Sequence, residues 1–106
     1  MDWIQGIQRA IDYMEENITE ELDLSEAAKR AYSSSIHFQR VFGMLCGYSA
    51  GDYIRMRRLS LAGEELSKGD AKIIDVALKY GYDTPEGFSR AFTAFHGISP
   101  SEAKRG

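Results

Sequence analysis

Two stretches of this chain spell one pattern twice. Phe38-Gln-Arg-Val-Phe42 followed by Gly47-Tyr-Ser49 returns as Phe88-Ser-Arg-Ala-Phe92 followed by Gly97-Ile-Ser99, at an offset of 50. Upstream, an offset of 49 pairs Leu24 with Ile73, Glu26 with Asp75, Ala28 with Ala77 and Arg30 with Lys79. Each copy therefore reads helix, turn, helix, with one more residue in the second turn. Two copies are too few for a solenoid, which needs about three or more. A tandem pair predicts instead a molecule that touches something twice, at a fixed separation.

The rest of the chain also reads helical, so the fold class is all-α with seven helices. Ile4, Ile7, Ile11, Met14 and Ile18 form one apolar stripe from Trp3 to about Asn17, capped by Asp2 with Gln5 three residues on. Asp23 and Glu26 have the spacing of a capping box for a second helix, whose inner face is Leu24, Ala27, Ala28 and Ala31. The Ser33-Ser-Ser35 cluster breaks the chain before a third helix, which Gly47 stops as a left-handed cap. The longest helix runs from about Ser49 to Leu66, with Tyr53, Ile54, Met56, Leu59, Ala62 and Leu66 as apolar positions. A fifth turns Ile73, Val76, Ala77 and Tyr80 inward. Thr84-Pro85 starts the sixth, with proline at the first helical position, and Ser99-Pro100 starts a short seventh. No strand or hairpin pattern competes.

This predicts two helix-turn-helix subdomains, 1–48 and 69–106, joined by a linker helix over 49–68. The 106 residues form a single unit by length, with room for a modest core. No stretch nears the roughly 20 apolar residues of a membrane span. One cysteine, Cys46, excludes an internal disulfide and points to an intracellular, reducing compartment, the cytoplasm.

Charge is unevenly placed. Residues 1–26 hold one base and eight acids, a net of −7; residues 27–106 hold twelve bases and eight acids, a net of +4. The duplicated part is basic although the whole chain is −3. In a helix-turn-helix unit the second helix lies in the major groove of DNA. One face must pack inward, and Phe38, Val41, Phe42 and Leu45, then Phe88, Ala91, Phe92 and Phe95, have that spacing. The other face offers Ser35, Ile36, Gln39 and Arg40, then Thr84, Glu86, Ser89 and Arg90. Arginine suits guanine, glutamine adenine, glutamate cytosine and an apolar group the thymine methyl. The long helix spans roughly 27 Å at 1.5 Å per residue. With the helix ends added, the two reading helices come near one DNA turn apart, about 34 Å.

Candidate base readers are therefore Ile36, Gln39, Arg40, Glu86, Ser89 and Arg90. Candidate phosphate contacts are Lys29, Arg30, Ser34, Ser35, Arg55, Lys79 and Thr84, with Ser34 and Thr84 acting first as helix caps. Arg58 is equally suited to holding helices together. His37 and His96 lack partners at metal spacing, and no catalytic constellation, metal cluster or cofactor loop appears. Cys46 has no resolving cysteine or flanking bases and reads as inert.

The chain resembles the DNA-binding domain of AraC/XylS-type regulators over essentially its whole length. The first half matches through Phe38-Gln-Arg-Val-Phe42, Gly47-Tyr-Ser49, Tyr53-Ile54 and Arg58-Leu59 with Ala62. The second matches through Ile73, Val76-Ala77, Gly81-Tyr82, Phe88-Ser-Arg-Ala-Phe92 and Gly97-Ile-Ser-Pro100. His37-Phe-Gln-Arg40 and Tyr53-Ile-Arg55 are most similar to the monomeric stress and multidrug-resistance activators. The resemblance implies double-stranded DNA as partner and activation of transcription through contact with RNA polymerase. It places base reading on Ile36, Gln39 and Arg40, then on Pro85, Glu86, Ser89 and Arg90. Gly43 and Thr93 stand where that family commonly has a basic residue, Ala103 where it has an aromatic and Lys104 where it has arginine. Two missing phosphate contacts would flatten the salt dependence of binding.

A second class stays open: a helical protein-interaction module that keeps the fold and has lost DNA binding, favoured by the negative total charge, Gly43, Thr93 and Glu86. Two layouts also stay open, a one-domain protein or one with a C-terminal effector-binding domain beyond this chain. The abrupt end at Lys104-Arg-Gly106 favours the second.

Overall fold

The structure, a computed structural model, describes residues 2–106. The described residues form seven α-helices and no strand: α1 (Trp3–Glu16), α2 (Leu24–Arg30), α3 (Ser35–Cys46), α4 (Ala50–Ser67), α5 (Ile73–Lys79), α6 (Pro85–His96) and α7 (Pro100–Arg105). They gather into two compact units, Met1–Arg55 and Met56–Gly106, that divide within α4.

In the first unit α1 packs on α2, and α2 on α3. Small residues make the α1–α2 approach close: Gly6 and Ala10 of α1 are buried, as are Ala27 and Ala28 of α2 and the capping Ala31. The buried face of α1 keeps Ile7 and Met14 of the predicted stripe, with Ile18 beyond the helix end, and is widened by Gly6 and Ala10 on one side. Ile4, the first residue of that stripe, is 74% exposed, because it lies at the other margin of the face in the first turn. Arg9 Nε donates to the Arg30 carbonyl at 3.0 Å, satisfying an acceptor that the end of α2 leaves without a helical partner. Tyr53 Oη donates to Glu15 Oε2 at 2.6 Å and ties α4 to α1.

The second unit has the same plan. Leu59, Ala62, Leu66, Val76, Ala77, Tyr80, Phe88 and Phe92 form its core. The phenylalanines that announce the repeat are fully buried in both copies, with ring centroids 5.8 Å apart for Phe38–Phe42 and 5.4 Å for Phe88–Phe92. Burying each contributes about 1.5–3 kcal/mol. Leu45 and Phe95, expected on the same inner faces, are 55% and 43% exposed. They sit in the last turns of twelve-residue helices whose seven-residue partners, α2 and α5, are too short to cover them. His96 instead folds back, its Nε2 2.7 Å from the Leu59 carbonyl and its ring 4.2 Å from Phe92.

Caps delimit the helices as local chemistry requires. Asp2 and Asp23 accept from Ile4 N and Ser25 N, each at 2.9 Å. A complete capping box forms at Ser99 and Glu102; Glu26, expected to close one for α2, turns to Lys29 and Arg30 instead.

Candidate nucleic-acid interface

The turn between the paired helices is built alike in both units. Ser33 N donates to Ala28 O at 3.0 Å, and its counterpart Tyr82 N donates to Ala77 O at 2.9 Å. Both bonds close a left-handed turn, through Tyr32 (φ 55°) in the first copy and Gly81 (φ 88°) in the second. The second turn carries the extra residue before its cap, so α6 starts at Pro85 after Thr84 where α3 starts at Ser35 after Ser34.

Those caps orient the second helix. Ser34 Oγ accepts from His37 N at 3.3 Å, and Thr84 Oγ1 from Gly87 N at 3.0 Å. Each hydroxyl still has its own hydrogen to donate outward, next to the positive end of a helix dipole. Ser35 is half-buried, and its Oγ accepts from Gln39 Nε2 at 3.0 Å.

On α3 the buried Phe38 and Phe42 hold one face, and Ile36, Gln39 and Arg40 share the opposite one within roughly a 100° arc. All three are exposed, Ile36 to 78%. On α6 the exposed Glu86 and Arg90 share an arc with Ser89, which is half-buried because it lies nearest the Phe88–Phe92 face. Pro85 is exposed at the head of the helix. Within each unit the structure thus gathers the predicted base readers on one outward helix face. Arg40 and Arg90 occupy equivalent places and have no hydrogen-bond or ion-pair partner among the described residues.

The candidate phosphate cations are differently placed. Lys29 and Arg30 both lean on Glu26, at 3.8 and 3.5 Å, and Arg30 also covers the Tyr13 ring at 5.1 Å. Arg55 pairs with Asp52. Lys79 pairs with Glu65, whose hydrogen bond is the main cause holding the ammonium pKa above its ordinary value. Sequence reading had no access to the Glu65 partner, which comes from α4. Arg58 reaches the inter-helix turn: a Cβ on Gly81 would sit 3.5 Å from its Nη1. His37 packs against Trp3 with ring centroids 5.3 Å apart. Cys46 is half-buried, and desolvation pushes its thiol pKa up. No cluster of three or more metal-ligating side chains occurs among the described residues. No described helix is long and apolar enough to cross a membrane.

Paired short helices, a capped left-handed turn and an outward polar face on the second helix define a helix-turn-helix protein, present here in two copies. Comparison with known proteins agrees. A family model described as a helix-turn-helix domain matches residues 27–106. The HTH-type transcriptional activator AarP of Providencia stuartii is 39% identical over 95 residues, which cover 90% of this chain and 70% of that protein. The regulatory protein SoxS of Escherichia coli K12 is 36% identical over 96 residues, covering 91% of this chain and 90% of SoxS. The HTH-type transcriptional regulator YbfP of Bacillus subtilis is 32% identical over 100 residues; 94% of this chain is matched but only 34% of YbfP. Among solved structures, an AraC-type transcriptional regulator from Chromobacterium violaceum superposes with a TM-score of 0.87 at 25% identity, covering 94% of this chain and 89% of that one. The DNA-binding domain of AdpA, solved in complex with a target DNA, gives 0.83 at 25% identity, covering 95% and 91%. The chain belongs to the AraC/XylS-type helix-turn-helix family of transcription regulators.

Proposed function

We propose that this chain is the sequence-specific double-stranded DNA-binding domain of a bacterial transcription regulator. Each monomer reads two successive major-groove segments, one through α3 and one through α6. The observation that carries the reading is the pair Arg40 and Arg90: equivalent in the repeat, outward, and free of any partner among the described residues. An unpaired arginine on a second helix is free to meet a guanine edge in bidentate fashion. Ile36 and Gln39 offer a methyl contact and an amide beside the first arginine, and Glu86 and Ser89 offer an acceptor and a hydroxyl beside the second. Ser34, Ser35 and Thr84 place hydroxyls and helix N-termini toward phosphate. Lys29, Arg30, Arg55 and Lys79 supply positive charge.

The same reading places the protein in the cytoplasm, with RNA polymerase as partner and no catalytic or cofactor role. Two-thirds of YbfP lies outside the match, whereas SoxS is matched over most of its length, so a layout with a further effector-binding domain and a one-domain layout both have relatives of matching length. A second reading, the helical interaction module, is favoured by the carboxylates that engage the phosphate candidates.

A fluorescence titration against random duplex at low salt separates the two. Saturable binding that weakens with added salt is expected for the DNA reader. No binding at any salt leaves the interaction module standing.

A further inference from the structure

Every cation in the candidate phosphate set is already held by a carboxylate of its own chain, whereas the base-facing arginines are not. Glu26 engages Lys29 and Arg30, Asp52 engages Arg55, and Glu65 engages Lys79. Arg40 and Arg90 have no such partner among the described residues. The division follows the chemistry: groups that would grip the DNA backbone are occupied, and groups that would read bases are open.

The repeat shows that this is not simply one inherited contact. Arg30 and Lys79 hold the same place, the last residue of the first helix in each copy. Glu26, which holds Arg30, has Asp75 as its counterpart. Lys79 does not use Asp75; it reaches Glu65, fourteen residues earlier on α4. Each of these two cations also lies over a tyrosine ring, Arg30 over Tyr13 at 5.1 Å and Lys79 over Tyr80 at 5.6 Å. The two copies thus reach the same state through non-equivalent carboxylates.

We propose that Glu26, Asp52 and Glu65 are built-in phosphate surrogates that hold the backbone-binding cations and keep the DNA affinity of this chain low without touching base readout. The inference rests on the DNA-binding reading above. A phosphate oxygen must displace a carboxylate oxygen from each cation, and the released carboxylate then faces the phosphate backbone and repels it. An exposed ion pair competes by at most about fivefold in an equilibrium constant. Three such sites, at about two- to fivefold each, together lower affinity by roughly ten- to a hundredfold. Because phosphates carry no sequence information, the reduction is the same for every duplex.

The test is fluorescence anisotropy with a random duplex and with a duplex selected by the wild-type chain from a random pool. The variants are Glu26→Gln, Asp52→Asn, Glu65→Gln and the triple substitution. Each single variant is expected to tighten both duplexes by the same factor, about two- to fivefold, and to steepen the log–log salt slope by up to about one. Glu21→Gln, an exposed carboxylate with no cation partner among the described residues, changes net charge equally and is expected to shift affinity far less at about 0.15 M salt. In a Lys79→Gln background, Glu65→Gln is expected to gain clearly less than in the wild type, because only the repulsion of phosphate by the carboxylate is then relieved. Equal effects from Glu65→Gln and Glu21→Gln, or a gain that Lys79→Gln leaves undiminished, would overturn the surrogate role and leave the DNA-binding reading intact. If neither the wild type nor the triple variant binds random duplex at low salt, both fall together.

Discussion

Tyr32 and Gly81 stand at the same station of two equivalent turns, and both have positive φ, 55° and 88°. Only one is a glycine. The bond that follows each, Ser33 N to Ala28 O and Tyr82 N to Ala77 O, keeps the turn the same whatever the side chain. The first copy therefore accepts a left-handed tyrosine, whose ring lies under Arg9 with the guanidinium carbon 5.0 Å from its centroid. The second has no such ring at that position.

Gly81→Ala is expected to destabilise the fold by about 1–2 kcal/mol, the cost of a Cβ in the left-handed region. For a chain of this size that lowers the melting temperature by roughly 4–8 °C per kcal/mol. An unchanged thermal melt would show that the turn relaxes out of its positive φ.

Two aromatic residues of α6 separate core from rim. Phe88 is fully buried and Phe95 is 43% exposed. Phe88→Ala should cost about 3–5 kcal/mol, a large share of a total near 5–15 kcal/mol. Phe95→Ala should cost less than about 1.5 kcal/mol. Urea titration of both variants checks this, and equal losses would put Phe95 back in the core.

Gly63 faces His96 at close range. A Cβ there would meet His96 Cε1 at 2.8 Å and Nε2 at 2.9 Å. That ring is held between the Leu59 carbonyl and Phe92, so it has little freedom to step aside. Gly63→Ala should cost about 1–3 kcal/mol by overpacking and displace the His96 ring resonances. Wild-type stability with unmoved His96 signals would contradict the packing described.

Arg40→Ala should weaken binding to a selected duplex by about 1–3 kcal/mol and relax discrimination at one base position. Binding to a panel of single-base variants is the measurement. Uniform weakening across the panel would make Arg40 a backbone contact instead.

The capping carboxylate of α7 gives a pH signature. Hydrogen bonds from Ser99 hold Glu102 below its usual carboxylate range. A lowered folded pKa means that the contribution is complete above the unfolded value and is lost as pH falls through the folded one. The Ser99 amide resonance should therefore hold its capped position through the ordinary glutamate range and move only at lower pH. Glu102→Gln should remove that acid titration. A Ser99 shift centred at an unperturbed glutamate pKa would show that the box is not formed in solution.

Much of the architecture was readable from residues close together in the chain. Ser34, Thr84 and Ser99 cap helices within three positions of themselves, and Gly47 and Gly97 close α3 and α6 with φ of 82° and 80°. The proposed base-reading face was readable for the same reason: once Phe38 and Phe42 are inside, helical period alone turns Ile36, Gln39 and Arg40 outward. Glu26 departs from the predicted capping box because a box and an ion pair with Lys29 and Arg30 use the same spacing, and only the folded arrangement decides between them. Gly63 gave no signal at all, since its neighbour His96 is thirty-three positions away.

Sequence by itself determined seven helices, their caps, a twofold helix-turn-helix plan and the polar faces of α3 and α6, because each depends on interactions within a turn or two of backbone. Tertiary structure alone decided how far each apolar stripe is covered, leaving Ile4, Leu45 and Phe95 outside. It also decided that Lys79 is met by Glu65 rather than by Asp75. Those outcomes depend on how long each partner helix is and on which side chains from distant stretches of chain arrive beside it, and no local periodicity encodes either.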